Sequence, residues 1–205
     1  PTLDRTTNGK GLISDMMSAD IDKLDAGSWF NEKFTGTHVP KISEMLDSLR
    51  GKAKVFFDVK PGTPVATLAK LVRNKGFADK SFFWFGDTTM LKEFVKIAPD
   101  MCIKVNVSDV AGIKRWMRMC KPSYIEIGAR NITDDIRSFC RSNGIKIMAI
   151  AFDSSDEAYR EVVMKQPDMV NLDRPEKFLK IVSDVKEEKR IKQSPLSQYA
   201  DPRIG

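Results

Sequence analysis

The sequence predicts an α/β fold: a (β/α)8 barrel, incomplete here, with about six βα units and the first two strands missing. Three observations predict it. Short apolar, strand-like runs occur at Val55–Asp58, Ser81–Gly86, Cys102–Val107, Tyr124–Ala129, Ile147–Phe152 and Met169–Asp173. Helical patterns separate them, at Val65–Asn74, Thr89–Ile97, Val110–Met119, Asp134–Ser142 and Asp156–Met164, and a last one runs from Pro175 to about Lys189. The units recur at a near-constant interval of roughly twenty residues, which favours a barrel over an open doubly wound sheet.

Strand and helix alternating at that interval imply parallel strands joined by right-handed crossovers. No Gly-x-Gly-x-x-Gly run or phosphate-binding loop follows any strand, which argues against nucleotide binding. A further helix starts at Pro40 and covers KISEMLDSLR, with Ile42, Met45, Leu46 and Leu49 forming an apolar stripe expected to be internal and Gly51 stopping it. This helix would close an earlier unit whose strand is absent. A closed barrel needs two more strands before Pro1, so the periodicity alone anticipates an upstream segment.

Composition narrows the function classes. The chain has 205 residues, 41% of them hydrophobic and 30% charged, a balance that supports a folded globular core rather than disorder. No apolar run reaches membrane-spanning length. The net charge of +6 favours anionic partners weakly, and part of it comes from the KEEKRIKQ run, which reads as a solvated helix end. No nucleic-acid-binding motif accompanies it, so no nucleic-acid partner is expected. Cys102, Cys120 and Cys140 are odd in number and form no Cys-x-x-Cys pair; they read as free, mostly buried thiols. The one histidine, His38, lies in the loop-like GTHVPK run and reads as a surface residue.

Residues 1–37 are rich in Thr, Asn, Gly and Asp. DRTTNGKG reads as a loop, Ser14 or Asp15 as the cap of a short helix through Ile21–Leu24, and Trp29, Phe30 and Phe34 as aromatic anchors of an otherwise polar excursion.

The stretch KVFFDVKPG, Lys54–Gly62, carries the first candidate site. On a strand, residues two apart share a face, so Asp58 and Lys60 lie together with Phe56, while Phe57 and Val59 point the other way. A carboxylate beside an ammonium at a strand end is either a structural or solvated pair, or a place that takes a divalent cation and an anionic oxygen together. Farther on, Lys104 and Asn106 share one face of their strand, and Tyr124, Glu126 and Gly128 share one face of the next. In a parallel barrel the outer face packs on helices and is apolar, so the polar sets point inward. Lys104 and Glu126 then meet on adjacent strands with opposite charges, as a structural interior pair or as a substrate contact. With Asp58, Lys60 and Asn106 they are expected at the C-terminal mouth, where barrel active sites lie.

Four runs resemble the glycerophosphodiester phosphodiesterase family: PTLDRTTNGKG at Pro1–Gly11, LDAGSWFNEKFTGTHVPKISEML at Leu24–Leu46, FFDVKPG at Phe56–Gly62 and NLDRP at Asn171–Pro175. The resemblance covers nearly the whole chain in the right order. It implies a single partial TIM-barrel domain of the phosphodiesterase type over 1–205, with 1–37 similar to the small insertion after the family's second strand. It implies hydrolysis of glycerophosphodiesters to glycerol 3-phosphate and an alcohol, with a bound Ca²⁺ or Mg²⁺. Asp58 matches a metal ligand, as Asp where Glu is commoner, and Lys60 matches the lysine that contacts phosphate. The family's two catalytic histidines and acidic metal pair would fall before Pro1, and His38 matches neither histidine, so this stretch is expected to be inactive alone. Ile150 stands near a position where the family commonly has tryptophan. The alternatives are a non-catalytic phosphodiester-binding relative and a phospholipase-type lyase that releases a cyclic phosphate.

Overall fold

The computed structural model describes residues 2–192; Pro1 and the end of the KEEKRIKQ run from Gln193 lie outside the described residues. In chain order the elements are α1 (Ser18–Ile21), α2 (Ile42–Leu49), β1 (Val55–Val59), α3 (Val65–Asn74), β2 (Ser81–Phe85), α4 (Thr88–Ile97) and β3 (Cys102–Asn106). They continue with α5 (Val110–Met117), β4 (Pro122–Gly128), α6 (Asp134–Ser142), β5 (Lys146–Ala151), α7 (Asp156–Lys165), β6 (Met169–Leu172) and α8 (Pro175–Lys192). The six strands follow one another in sheet order β1-β2-β3-β4-β5-β6, and each pairing from β2 to β6 is parallel. Sequential parallel order with a helix in every crossover is the topology of a (β/α)8 barrel, and six such strands lie among the described residues. Strand and helix positions agree with the sequence periodicity to within two residues at nearly every end. Among the described residues no helix is long and apolar enough to cross a membrane.

The chain divides into two compact units, Pro1–Ser81 with Phe85–Met101, and Phe82–Trp84 with Cys102–Gly205. In the first, β1 alternates strictly: Val55, Phe57 and Val59 are buried, and Phe56 and Asp58 are exposed. Buried Val65, Leu68, Ala69 and Val72 form one face of α3, at helical spacing. Asp87 caps α4, its carboxylate accepting from the Thr89 and Met90 N–H groups, and Phe94 of that helix packs on Phe85 at 4.9 Å between ring centroids. Gly62, at φ +87°, makes the turn out of β1 that a side chain would strain.

In the second unit the helix starts follow the same rule. Asp109, Thr133 and Ser155 each accept a backbone N–H from the first turn of α5, α6 and α7. One face of the strands is continuously apolar, with Ile103, Val105, Ile125, Ile127, Ile147, Ala149 and Ala151 all buried, as parallel strands covered by helices require. The three cysteines are free thiols, Cys120 and Cys140 buried. Burial pushes both of those thiols up to about 11, with Asp168 adding to the shift at Cys140. They are protonated at neutral pH and unsuited to nucleophilic or metal chemistry.

Three expectations for the N-terminal segment are corrected. The short helix is α1 at Ser18–Ile21, preceded by a 3-10 turn at Ile13–Asp15, and neither Ser14 nor Asp15 caps it: its N-cap position is Met17, which offers no side-chain acceptor. In the α2 stripe Leu46 is fully buried and Met45 and Leu49 half-buried, but Ile42 is exposed, because the helix begins there and its first turn reaches solvent. Trp29, Phe30 and Phe34 are exposed rather than anchored.

The loop holding those aromatics is organised by Asp25. Its Oδ1 accepts the N–H groups of Gly27 and Ser28, and its Oδ2 accepts that of Gly36. These backbone donors, Gly36 first, lower its pKa to about 2. A carboxyl depressed in the folded state contributes stability above its unfolded value, near 3.8, and that contribution is lost as pH falls through about 2. The amide resonances of Gly27, Ser28 and Gly36 are therefore expected to titrate together with a midpoint near 2; a common midpoint near 3.8 would show that the carboxylate does not hold them.

Candidate active site

Each unit carries one constellation. In the first, β1 sets Asp58 on the strand's exposed face, and Lys60 follows two residues on, just past the strand end. Lys60 Nζ donates to Asp58 Oδ2 at 2.6 Å, and both side chains are open to water. Thr63 closes the turn behind them, its hydroxyl and its N–H both donating to the Lys60 carbonyl. An exposed pair of this kind adds little stability. What it offers is a positive and a negative group side by side and accessible.

The second unit builds its constellation in layers. Phe82, Tyr124 and Met148 form a buried cluster, with Cys102 and Met169 packed against it. The Phe82 and Tyr124 rings lie 4.9 Å apart. Two residues toward the C-terminal end of each strand, on the same face, stand Trp84, Lys104, Glu126, Ile150 and Asn171. An apolar layer thus underlies a polar one.

Lys104 and Glu126 are 3% and 5% exposed, and Lys104 Nζ meets Glu126 Oε2 at 2.5 Å. Lys104 Nζ also donates to Asn106 Oδ1 at 2.8 Å and stands 5.4 Å from the Trp84 ring centroid. The second carboxylate oxygen, Glu126 Oε1, accepts from Asn171 Nδ2 at 2.7 Å. Trp116 donates its indole N–H to the Asn106 carbonyl at 3.1 Å and so fixes the end of β3. Asn106 is itself exposed, so the network runs from a sealed floor to the surface. Burying two charges is costly, and the extra hydrogen bonds from Asn106 and Asn171 are what make it tolerable.

The structure thus pairs Asp58 with Lys60, and Lys104 with Glu126, as the strand faces predict; the two pairs belong to different units. Trp84 is a member that the sequence reading did not single out, and Asn171 entered it only as the first residue of the NLDRP run. A signal for Asn171 exists: it is an amide in an otherwise apolar four-residue strand, on the face of Met169. Beyond this network, Gly128, Ala129, Ile150, Ala151 and Phe152 line an open cavity of about 510 Å³ at the C-terminal ends of β4 and β5.

The fold matches solved structures closely. A glycerophosphodiester phosphodiesterase from Agrobacterium tumefaciens str. C58 superposes with a TM-score of 0.80 at 33% identity, over 86% of this chain and 77% of that one. The chain belongs to the glycerophosphodiester phosphodiesterase family. Its relatives in this family are phosphoric diester hydrolases. The family's enzyme from Caldanaerobacter subterraneus subsp. tengcongensis is 27% identical over 195 residues, 88% of this chain and 77% of the relative. A phosphodiesterase from Oleispira antarctica, solved in complex with the product sn-glycerol-3-phosphate, shares the fold at a TM-score of 0.72 and 21% identity, over 89% of this chain and 76% of that one. No family model matches the chain.

The family is generally dependent on a divalent metal. Asp58 is a hard oxygen donor of the kind such a cation prefers. Among the described residues, however, no three or more His, Cys, Asp or Glu side chains cluster to hold a metal ion. The donor fits in kind and not in number.

The buried pair gives a direct test. Lys104→Met leaves Glu126 charged and buried with one partner gone, and is expected to cost about 3–5 kcal/mol in chemical denaturation. Lys104→Met combined with Glu126→Leu removes both charges and is expected to regain most of that loss. A double variant no more stable than the single one would mean that the pair is not coupled as the geometry indicates.

Proposed function

We propose that this chain is the greater part of a glycerophosphodiesterase barrel that hydrolyses glycerophosphodiesters to glycerol 3-phosphate and an alcohol. Membership of the family supports the reaction class, and the arrangement that carries the assignment to residues is the accessible Asp58–Lys60 pair at the end of β1. Lys60 places its ammonium on a phosphoryl oxygen, where it offsets the charge that builds up in the transition state. Asp58 holds Lys60 in place and would supply one oxygen ligand to Ca²⁺ or Mg²⁺, a cation that would help neutralise charge on a phosphoryl group. Lys104 and Glu126 are a second candidate substrate contact, within the other unit, and Asn106 is the exposed edge through which their network reaches a polar group. Residues 1–205 read as one domain of the phosphodiesterase type, in which 1–37 is the insertion.

Cleavage of a phosphodiester needs a group that takes a proton from the nucleophile and one that gives a proton to the leaving alkoxide. The 205 residues hold one histidine, His38, exposed in a loop. The 205-residue chain by itself is therefore inactive. The same observation favours a second reading, a relative that binds phosphodiesters without cleaving them.

Turnover of glycerophosphocholine followed by phosphorus NMR separates these readings and reports the product. The 205-residue chain is expected to give none; metal-dependent turnover that survives His38→Ala would contradict this. In a catalytically competent form of the protein, Lys60→Ala is expected to lose roughly 2–4 kcal/mol of transition-state stabilisation, and Lys54→Ala, at the entrance of the strand, much less. Equal small losses would make Lys60 an ordinary surface residue. Binding without turnover in the competent form would support the second reading, and a cyclic phosphate product would show a lyase.

A further inference from the structure

The cavity at the C-terminal ends of β4 and β5 shares a wall with the strands of the Lys104–Glu126 network. Gly128 follows Glu126 by two residues on the same face of β4, and Ile150 pairs with Gly128 on one side and Asn171 on the other. The cavity therefore begins one step, about 7 Å along the strand, beyond Glu126 toward the mouth. All of its lining belongs to one unit. Its volume of about 510 Å³ is that of a small-molecule site.

The choice of residues keeps this space open. A Cβ at Gly128 would meet nothing nearer than Asn131 Nδ2 at 4.0 Å, and the backbone there is extended, at φ −60° and ψ 140°. Neither crowding nor conformation requires glycine at this position; what it does is leave room in the cavity. Ala129, Ala151 and Ala158 are small as well, and Phe152 supplies an aromatic wall.

Three charged side chains line the cavity: Arg130, Asp153 and Glu161. Arg130 Nε pairs with Glu161 Oε2 at 3.2 Å. Asp153 accepts the Ser155 N–H at 2.9 Å and is in no ion pair among the described residues. The Ser155 N–H and hydroxyl, with Arg130 and Lys177 farther off, hold its carboxyl below its ordinary value, so it is ionised at neutral pH. Lys177 is itself engaged by Asp156 at 2.8 Å and by the Ser154 carbonyl. One surplus negative charge thus stands beside an aromatic ring and aliphatic walls.

We propose that this cavity takes the head group of the substrate's alcohol and selects a quaternary ammonium, as in a choline diester. Aliphatic walls suit methyl groups, which ask for no hydrogen bonds. The Phe152 ring and the Asp153 carboxylate suit a cation whose charge cannot be lost with a proton. A primary ammonium has three donors to satisfy, which mostly aliphatic walls do not serve, and an anionic head group meets Asp153 as a like charge. Naming the ligand as part of a phosphodiester rests on the hydrolase reading; the affinity of the cavity for the ammonium does not.

The test follows the methyl groups of Ile150 and Ala158 by NMR in the 205-residue chain. Choline is expected to shift them saturably. Its uncharged isostere, the alcohol with carbon in place of nitrogen, is expected to bind about tenfold more weakly. Phe152→Leu keeps an apolar wall and is expected to weaken choline about fivefold. Asp153→Asn keeps an acceptor for the Ser155 N–H and is expected to weaken choline about threefold while leaving the isostere unchanged. Amide spectra unaltered away from the cavity keep the comparison local. Glycerol 3-phosphate has no ammonium and is expected to leave both methyl groups unmoved; the Lys60 and Lys104 signals report on the hydrolase reading, so the two ideas fail separately. Methyl groups indifferent to choline, an isostere bound as tightly, two variants that bind choline like the parent, or glycerol 3-phosphate shifting the methyl groups in choline's place would each overturn the proposal.

Discussion

A lysine and a glutamate that both lie in a sealed interior have to meet, and the second unit is built so that they do. Lys104 and Glu126 sit on neighbouring parallel strands, one layer above the buried Tyr124, Met148 and Phe82. The cost of removing two charges from water sets the identity of their neighbours. Asn171 must be an amide that donates, because Glu126 has a second oxygen to satisfy. Asn106 must accept, because an ammonium has more donors than one carboxylate oxygen can take. An apolar core of equal volume would hold four parallel strands together at least as well. The proposed substrate contact supplies a reason for charge to be kept here, on the C-terminal side of the barrel strands.

Most of this fold was legible in the sequence because parallel strands packed under helices on one face leave a strong mark. Val55, Phe57 and Val59 alternate with exposed neighbours, and Ile125 and Ile127 alternate with Tyr124 and Glu126, so strand position, face and partner followed from parity alone. The helices were placed by their 3.6-residue pattern alone; the caps Asp87, Asp109, Thr133 and Ser155 are seen in the structure. The pairing of Lys104 with Glu126 needed only the rule that inward charges on adjacent strands find each other.

The misses have physical causes of the same kind. Asn171 lies in a strand of four residues, too short for parity to stand out, and Trp84 lies in a run of aromatic residues where neither face is marked by polarity. In residues 1–37 the aromatic residues were expected to be anchors because a large apolar ring usually pays for order by being buried. Here order comes from Asp25 and a chain of backbone hydrogen bonds, which composition does not reveal, and the rings are left outside.

The claim on which the functional account turns is that the accessible Asp58–Lys60 pair meets the substrate's phosphate, with the Lys104 network as a second candidate contact. Side-chain ammonium resonances of ¹⁵N-lysine-labelled protein, followed during titration with sn-glycerol 3-phosphate, test it without requiring turnover. The account predicts saturable shifts of Lys104 and Lys60 with Lys54 unmoved. Unchanged Lys104 and Lys60 signals at saturating ligand would contradict it and leave Lys104–Glu126 a purely structural pair.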